Sequence, residues 1–443
     1  MNCRKMFFRL FLAALLGMGA VPAGAEVFFQ CPGLDATVDR DVDGDGMLRA
    51  YTPGEISNPI HLRQVCMHLV SGDGFINMAD KTIDHGPDAP LGAGYSQYIF
   101  GFANATAYDA NNAPTLADVG RVVPDNLVMG QFMLKMEFSA PTIRVNEGDQ
   151  FYLSLSNVGM MMRPDLFDPH TVHYHGFPNA SAVFDGLPDS GIAIMMGSTL
   201  TYFYNNVEPG TFMYHCHVEA AEHMQMGMLG NLYVTSAQDG TLIEYPPGSG
   251  RTFTTFAYND GDGSTGYDVD FPIQVVGFDP AFHDASINIQ PLPFAEMDDI
   301  YPMLNGRGYP DTVNPAELPN SVDENPSQKV NSLITATVGQ RILLRISSLS
   351  TTTIHTLTVQ GIPMLVVGKD ARKLGTPGDA TKYYLTNSVS LGGGESYDVI
   401  LDTAGISPGT YFLYTTNLNH LNNNAEEYGG MMTEVRISAA GPI

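Results

Sequence analysis

Six of the chain's twelve histidines fall between His170 and His223, and Cys216 stands between two of them. Their spacing defines two donor sets. In His170-x-x-His173-x-His175, at the end of a predicted strand, His173 and His175 point to the same side of a sheet, because successive strand side chains alternate between faces. In His215-Cys216-His217 the same rule puts both imidazoles on one face and the thiol on the other, towards the interior of its own sandwich. His223 and Met228 follow in the next loop. A thiolate, two imidazoles and a more distant thioether are the donors of a type 1 copper centre. Soft sulfur and borderline nitrogen in a constrained trigonal site suit rapid Cu(I)/Cu(II) cycling. The expected equatorial ligands are His170, Cys216 and His223, with Met228 as the weak axial one. Zinc also takes Cys and His, but the short step from His223 to Met228, with no second cysteine, favours copper.

The elements that must position these donors are strands. Short β-branched and aromatic runs alternate with turn signals from about 98 to 236, as in Thr142-Ile143-Arg144-Val145 before Glu147-Gly148-Asp149 and Phe151-Tyr152-Leu153-Ser154-Leu155 after it. That pattern predicts a β-sandwich. The linker YPPGSG (245–250) leads into a second set of such runs over 252–437. The two regions read as copies: FYLSLSN (151–157), HTVHYHG (170–176) and PGTFMYHCH (209–217) answer to RILLRISS (341–348), HTLTVQG (355–361) and PGTYFLYTTN (408–417). In the second copy Thr358, Gln360, Thr415 and Asn417 stand where the first has paired histidines, and Thr416 where it has Cys216. His355 and His420, without a thiol, read as ordinary core or surface histidines. The chain is thus expected to be all-β, with two Greek-key sandwiches behind an irregular, Gly-, Asp- and Pro-rich extension over 26–97.

Composition sets the surroundings. The net charge of −26, from 47 acidic against 21 basic residues, makes nucleic acid a poor partner. Arg4, Lys5 and Arg9, an apolar run from Phe11 to Leu16 and Ala23-Gly24-Ala25 have the order of a secretory signal, so residues 1–25 are expected to be removed and the protein to be periplasmic or secreted, with no membrane span. Export predicts a structural Cys31–Cys66 disulfide and leaves Cys216 as the odd thiol. Asp41-x-Asp43-x-Asp45-Gly46 has the alternating carboxylates of the first half of a calcium loop, with Thr52 where a bidentate Glu is expected; a solvated acidic turn is the simpler account. Methionines 160–162, 195–196, 224 and 226 read as packing residues rather than as Cu(I) ligands.

APTIRVNEGDQFYLSLSN (140–157), HTVHYHG, Asp185-Gly186 and GTFMYHCHVEAAEHMQMGMLG (210–230) resemble the domain signatures of the multicopper oxidases, which are built from cupredoxin domains. The resemblance covers most of residues 98–437. It implies a type 1 copper in the first domain. It also implies that His173, His175, His215 and His217 face a domain interface as half of a trinuclear copper cluster that reduces dioxygen, with Cys216 relaying electrons through its flanking histidines. The family's full cluster takes four HxH pairs, and this chain offers two. Three outcomes follow: a homo-oligomer whose first domains pool their pairs across a twofold axis; a non-enzymatic electron carrier or copper-binding protein with type 1 copper alone; or an arrangement like the copper nitrite reductases. The last fits worst, because His173 and Gln360 stand at its catalytic carboxylate and histidine positions. The leading expectation is an exported copper oxidoreductase that takes electrons from a small molecule, a metal ion or a cytochrome and passes them to dioxygen.

Overall fold

The computed structural model describes residues 39–40, 47–50, 64–80, 96–106, 130–177 and 181–439. The signal-like start, Cys31 and the Asp41–Gly46 acidic loop lie outside the described residues. The first sandwich has one sheet of β1 (Gln64–Asn77), β2 (Ser96–Asn104), β4 (Gln150–Gly159) and β6 (Thr199–Asn205), in which β1 pairs with β2 on one side and runs parallel to β4 on the other. Facing it is a sheet ordered β3 (Ile143–Asn146), β8 (Leu229–Thr235), β7 (Gly210–His215), β5 (His173–Tyr174). One short helix, α1 (Ala220–Met226), joins β7 to β8.

The second sandwich repeats the plan. One sheet is built on β9 (Val269–Val276), β11 (Arg341–Ser348), β15 (Ser396–Asp402) and β13 (Met364–Lys369), in that order. The other runs β10 (Ile334–Thr337), β17 (Met432–Ser438), β16 (Gly409–Thr415), β12 (His355–Val359), β14 (Ser388–Leu391). The all-β expectation holds. The boundary of the first domain does not: β1 falls within the stretch read as an irregular extension, yet it is a 14-residue strand buried along its length, and the sheet is built around it. Cys66 is one of its buried residues.

Each sandwich encloses its own apolar core, one including Phe151, Leu153, Tyr202 and Phe212, the other Ile342, Leu344, Val399 and Leu413. A third apolar cluster crosses between them, with Ile99, Phe138 and Leu229 packed together with Val276, Phe278 and Leu349. Burying such side chains contributes about 1.5–3 kcal/mol each, so the two domains are held as one body. A polar seam runs beside that cluster. Arg345, fully buried, donates from Nε to Asp270 Oδ2 at 2.8 Å, lies 3.8 Å from Asp398 Oδ1 and stacks over Tyr233 of the first domain. Thr211 of the first domain donates to Asp398 at 2.6 Å, and its carbonyl accepts from Ser396 Oγ at 2.8 Å.

Glu137 bridges to Phe102 of β2 at the side of the first sheet and is 3% exposed, with its carboxylate 2.8 Å from Lys329 Nζ. Burial pushes its carboxyl up to about 7, against the pull of Lys329. A carboxyl that titrates higher folded than unfolded binds more protons in the native state, so its contribution to stability is lost as pH rises from its ordinary range through about 7. Glu137→Gln is therefore expected to gain stability over the wild type across that interval, by at most about 1.4 kcal/mol per pH unit. Urea unfolding midpoints measured at a series of pH values would check it; a constant difference between the two proteins would refute it.

Candidate metal centre

The end of β7 divides the histidines into two groups. His215, the last residue of the strand, pairs with His173 on β5 and Leu229 on β8, and Cys216 follows immediately. Alternation then sends the Cys216 side chain into the first core and the His215 ring to the opposite face, as the sequence requires.

On the core side, Cys216 Sγ lies 3.9 Å from His170 Nδ1 and 3.2 Å from His223 Nδ1. All three side chains are fully buried, and their donor atoms lie within 4.8 Å of one another. The His170 and His223 rings are 5.1 Å apart at an interplanar angle of 58°. Backbone bonds fix the set. His170 is bridged to Ile194, Cys216 N–H donates to Met228 O at 3.1 Å, Met228 N–H donates to His223 O at 2.8 Å, and Thr171 N–H lies 3.4 Å from Cys216 Sγ. Met228 is fully buried in the same core cluster. The expected loop after Cys216 is α1, which carries His223 in its last turn; the helix takes up the long interval between Cys216 and His223. Among the described residues Cys216 is the free cysteine, and His170 Nε2 is buried without a hydrogen-bond partner.

Asp168, which the sequence reading passed over, stands with Oδ2 at 3.8 Å from His223 Nε2. Burial disfavours the His223 imidazolium, but Cys216 and Asp168 together outweigh it and hold the ring at about 10. A buried thiol, two inward-facing Nδ1 atoms and a proton that a cation can replace are a fitting set for a soft metal ion.

On the other face, His173, His175 and His215 bring their donor nitrogens within 4.8 Å of one another. The His217 ring is 5.0 Å from that of His173 and 5.6 Å from that of His215. His173 Nδ1 donates to Asp185 O at 2.6 Å and His215 Nδ1 to Cys216 O at 2.7 Å. These bonds fix the tautomers and leave both Nε2 lone pairs free for a metal. The His215 lone pair points at His175 Nε2, 3.0 Å away. Burial holds His215 at about 3 and His175 at about 4, so both rings are neutral imidazoles near neutral pH. Asp185 was legible as part of the Asp185-Gly186 signature; its carbonyl role was not.

His175 faces the second domain of its own chain, where its ring lies against Gly394. A cavity of about 330 Å³ opens there, lined by His175, Ala221, Met224, Leu349, Ser350 and Gly394 among others. Gly394 has φ +88, and a Cβ on it would come within 2.8 Å of His175 Cε1. Gly394→Ala is therefore expected to displace the His175 ring and lower metal occupancy of this histidine group by about 10-fold or more, leaving the Cys216 group's visible absorption intact. Copper titration followed by absorption spectroscopy would test this, and equal loss at both groups would refute it.

The backbone also corrects the register between the two copies. Thr415 N–H donates to Met431 O at 3.0 Å, as Cys216 N–H does to Met228 O. Thr415, not Thr416, thus answers to Cys216, and Tyr414 and Thr416 answer to His215 and His217. The antiparallel pairing of Tyr414 with Met432, matching His215 with Leu229, requires the same one-residue shift.

Family models described as multicopper oxidase match residues 124–239 and 297–433. An L-ascorbate oxidase of Cucurbita pepo var. melopepo is 25% identical over 295 residues, 63% of this chain and 45% of that protein. The chain therefore spans less than half the length of this curated relative. The crystal structure of a blue copper oxidase from Nitrosomonas europaea superposes with a TM-score of 0.54 at 22% identity, covering 84% of this chain and 85% of that one. The multicopper oxidase mgLAC superposes with a TM-score of 0.55 at 20% identity, covering 85% and 86%.

Proposed function

Because this chain belongs to the multicopper oxidase family, we propose that it is an exported copper oxidoreductase that takes electrons from a reductant at the Cys216 group and delivers them to dioxygen at the interface histidines. The observation that carries the reading is the adjacency of two donor sets across one peptide segment. Cys216 Sγ faces His170 and His223, while the rings on either side of it face His173 and His175. Bound copper would supply one-electron redox chemistry at the first set and dioxygen reduction at the second.

The chain's own residues do the rest. The Thr171 N–H, 3.4 Å from Sγ, helps to orient the sulfur. Complete burial of His170, Cys216 and His223 excludes water from the sulfur. Asp185 O and Cys216 O orient the two rings that they accept from, and the second bond links the cysteine's own peptide to a cluster histidine. The His215-Cys216-His217 backbone is the covalent route between the sets. Among the described residues no helix is long and apolar enough to cross a membrane. Export and the Cys31–Cys66 disulfide belong to the same reading.

Two HxH pairs are half of a trinuclear cluster, so the reading includes a homo-oligomer in which first domains pool their pairs across a twofold axis. Copper analysis of the reconstituted protein beside its mass in solution tests this. A dimer with about 2.5 coppers per chain in these sets and donor-dependent oxygen uptake is the expected result. A monomer with copper only in the Cys216 set and no oxygen uptake would replace it with the electron-carrier reading. That second reading is favoured by one observation: Thr358, Gln360, Tyr414 and Thr416, at the second domain's HxH positions, supply no imidazole.

A further inference from the structure

The second domain keeps more of the metal-binding arrangement than its sequence suggests. His355 and His420, 65 residues apart, are brought together with ring centroids 5.2 Å apart and an interplanar angle of 53°, against 5.1 Å and 58° for His170 and His223. The backbone frame is equally preserved. His355 pairs with Leu391 as His170 does with Ile194. Met431 N–H donates to His420 O at 3.0 Å as Met228 N–H does to His223 O, and Thr415 N–H donates to Met431 O as Cys216 N–H does to Met228 O. His355, His420 and Met431 thus occupy the positions of His170, His223 and Met228, with Thr415 in place of the cysteine.

The two rings lack the partners that ordinary core histidines have. His355 is 1% exposed, and its Nε2 lies 3.3 Å from Ser350 Oγ; His420 Nε2 lies 3.2 Å from the Asn417 amide. The Nδ1 atoms of both are buried with no hydrogen-bond partner, a costly state for a polar atom that nothing else in the fold requires. In the first domain the same two Nδ1 atoms face the cysteine sulfur. Met431 and Thr415 are both fully buried at the site.

We propose that His355, His420 and Met431 form a second, colourless copper site, specific for Cu(I). Two imidazoles and a thioether without a thiolate or carboxylate suit a soft monovalent ion rather than a hard divalent one. The site stands on the second domain's own geometry, so it does not depend on whether the first domain reduces dioxygen.

The test compares copper retained per chain by the full-length protein after loading with Cu(I) against a competing Cu(I) chelator, for the wild type, His355→Ala and Met431→Leu. His355→Ala is expected to lose one copper relative to wild type while the visible absorption of the Cys216 group is unchanged. Met431→Leu, which conserves volume, is expected to weaken Cu(I) at this site by about 10-fold or more. Equal copper retention by all three proteins would overturn the proposal, as would Zn(II) displacing Cu(I) from the site at equal concentration. A gain of function guards against misfolding of the alanine variant. Thr415→Cys restores a sulfur between the two Nδ1 atoms and is expected to add a second thiolate-to-copper absorption band, roughly doubling the visible intensity per chain. A well-folded Thr415→Cys protein with unchanged absorption would also count against the site.

Discussion

Replacing Cys216 by Ser is expected to abolish the visible copper absorption and to lower donor-dependent oxygen uptake by more than about 100-fold. Serine keeps the shape and the neighbouring backbone bonds, but its hydroxyl does not ionise near neutral pH and is a hard donor, so the thiolate that stands with His170, His223 and Met228 is gone. The effect on folding should be small, because the backbone bonds from Cys216 to Met228 and from Met228 to His223 are made by peptide groups. Absorption spectroscopy, circular dichroism and an oxygen electrode separate the two. Retained absorption with wild-type uptake would mean that the Cys216 sulfur is not a ligand.

Arg345→Ala is expected to destabilise the protein by about 3–5 kcal/mol, the cost of leaving the buried Asp398 carboxylate without its cation, while Asp270 keeps Arg144 at 2.9 Å. Arg345 is the fully buried charge within reach of both Asp270 and Asp398, and Asp398 in turn holds Thr211 of the first domain. Its guanidinium also stacks over Tyr233, so the truncation removes packing between domains as well as charge. Loss at this seam loosens the second domain beside His175, and copper in the histidine group should fall before copper in the Cys216 group does. Chemical denaturation gives the stability change. A loss below about 1 kcal/mol would show that the seam is incidental, because that is the scale of an exposed ion pair.

The grouping of the candidate donors was legible because period-two alternation is local: His173 and His175, or His215 and Cys216, need only a strand to be sorted onto faces. The division into two similar sandwiches was legible for the same reason, through repeated short runs and their turns. Strand β1 was not. Ser71-Gly72-Asp73-Gly74 in its middle reads as a turn, yet it is buried sheet. A Cβ on Gly72 would lie 2.9 Å from Gly159 O, so the glycine answers to a neighbour 87 residues away. Asp73 is buried against the Tyr98 hydroxyl at 2.9 Å. The pairing of His355 with His420 was hidden for a related cause. Neither has a neighbouring donor in sequence, and only the folding of β12 against β14 and β16 brings the rings together.

The recurrence of the same backbone bonds around Cys216 and around Thr415 bears on how the protein is assembled. Because the frame closes equally well with a threonine at its centre, its closure owes little to a metal–sulfur bond. The frame of the first domain therefore does not need a cysteine–metal bond to close. Metal loading would then be a step that follows folding. A chain that crosses a membrane unfolded could then acquire copper at its destination, and the order of events would be set by metal supply rather than by the folding reaction.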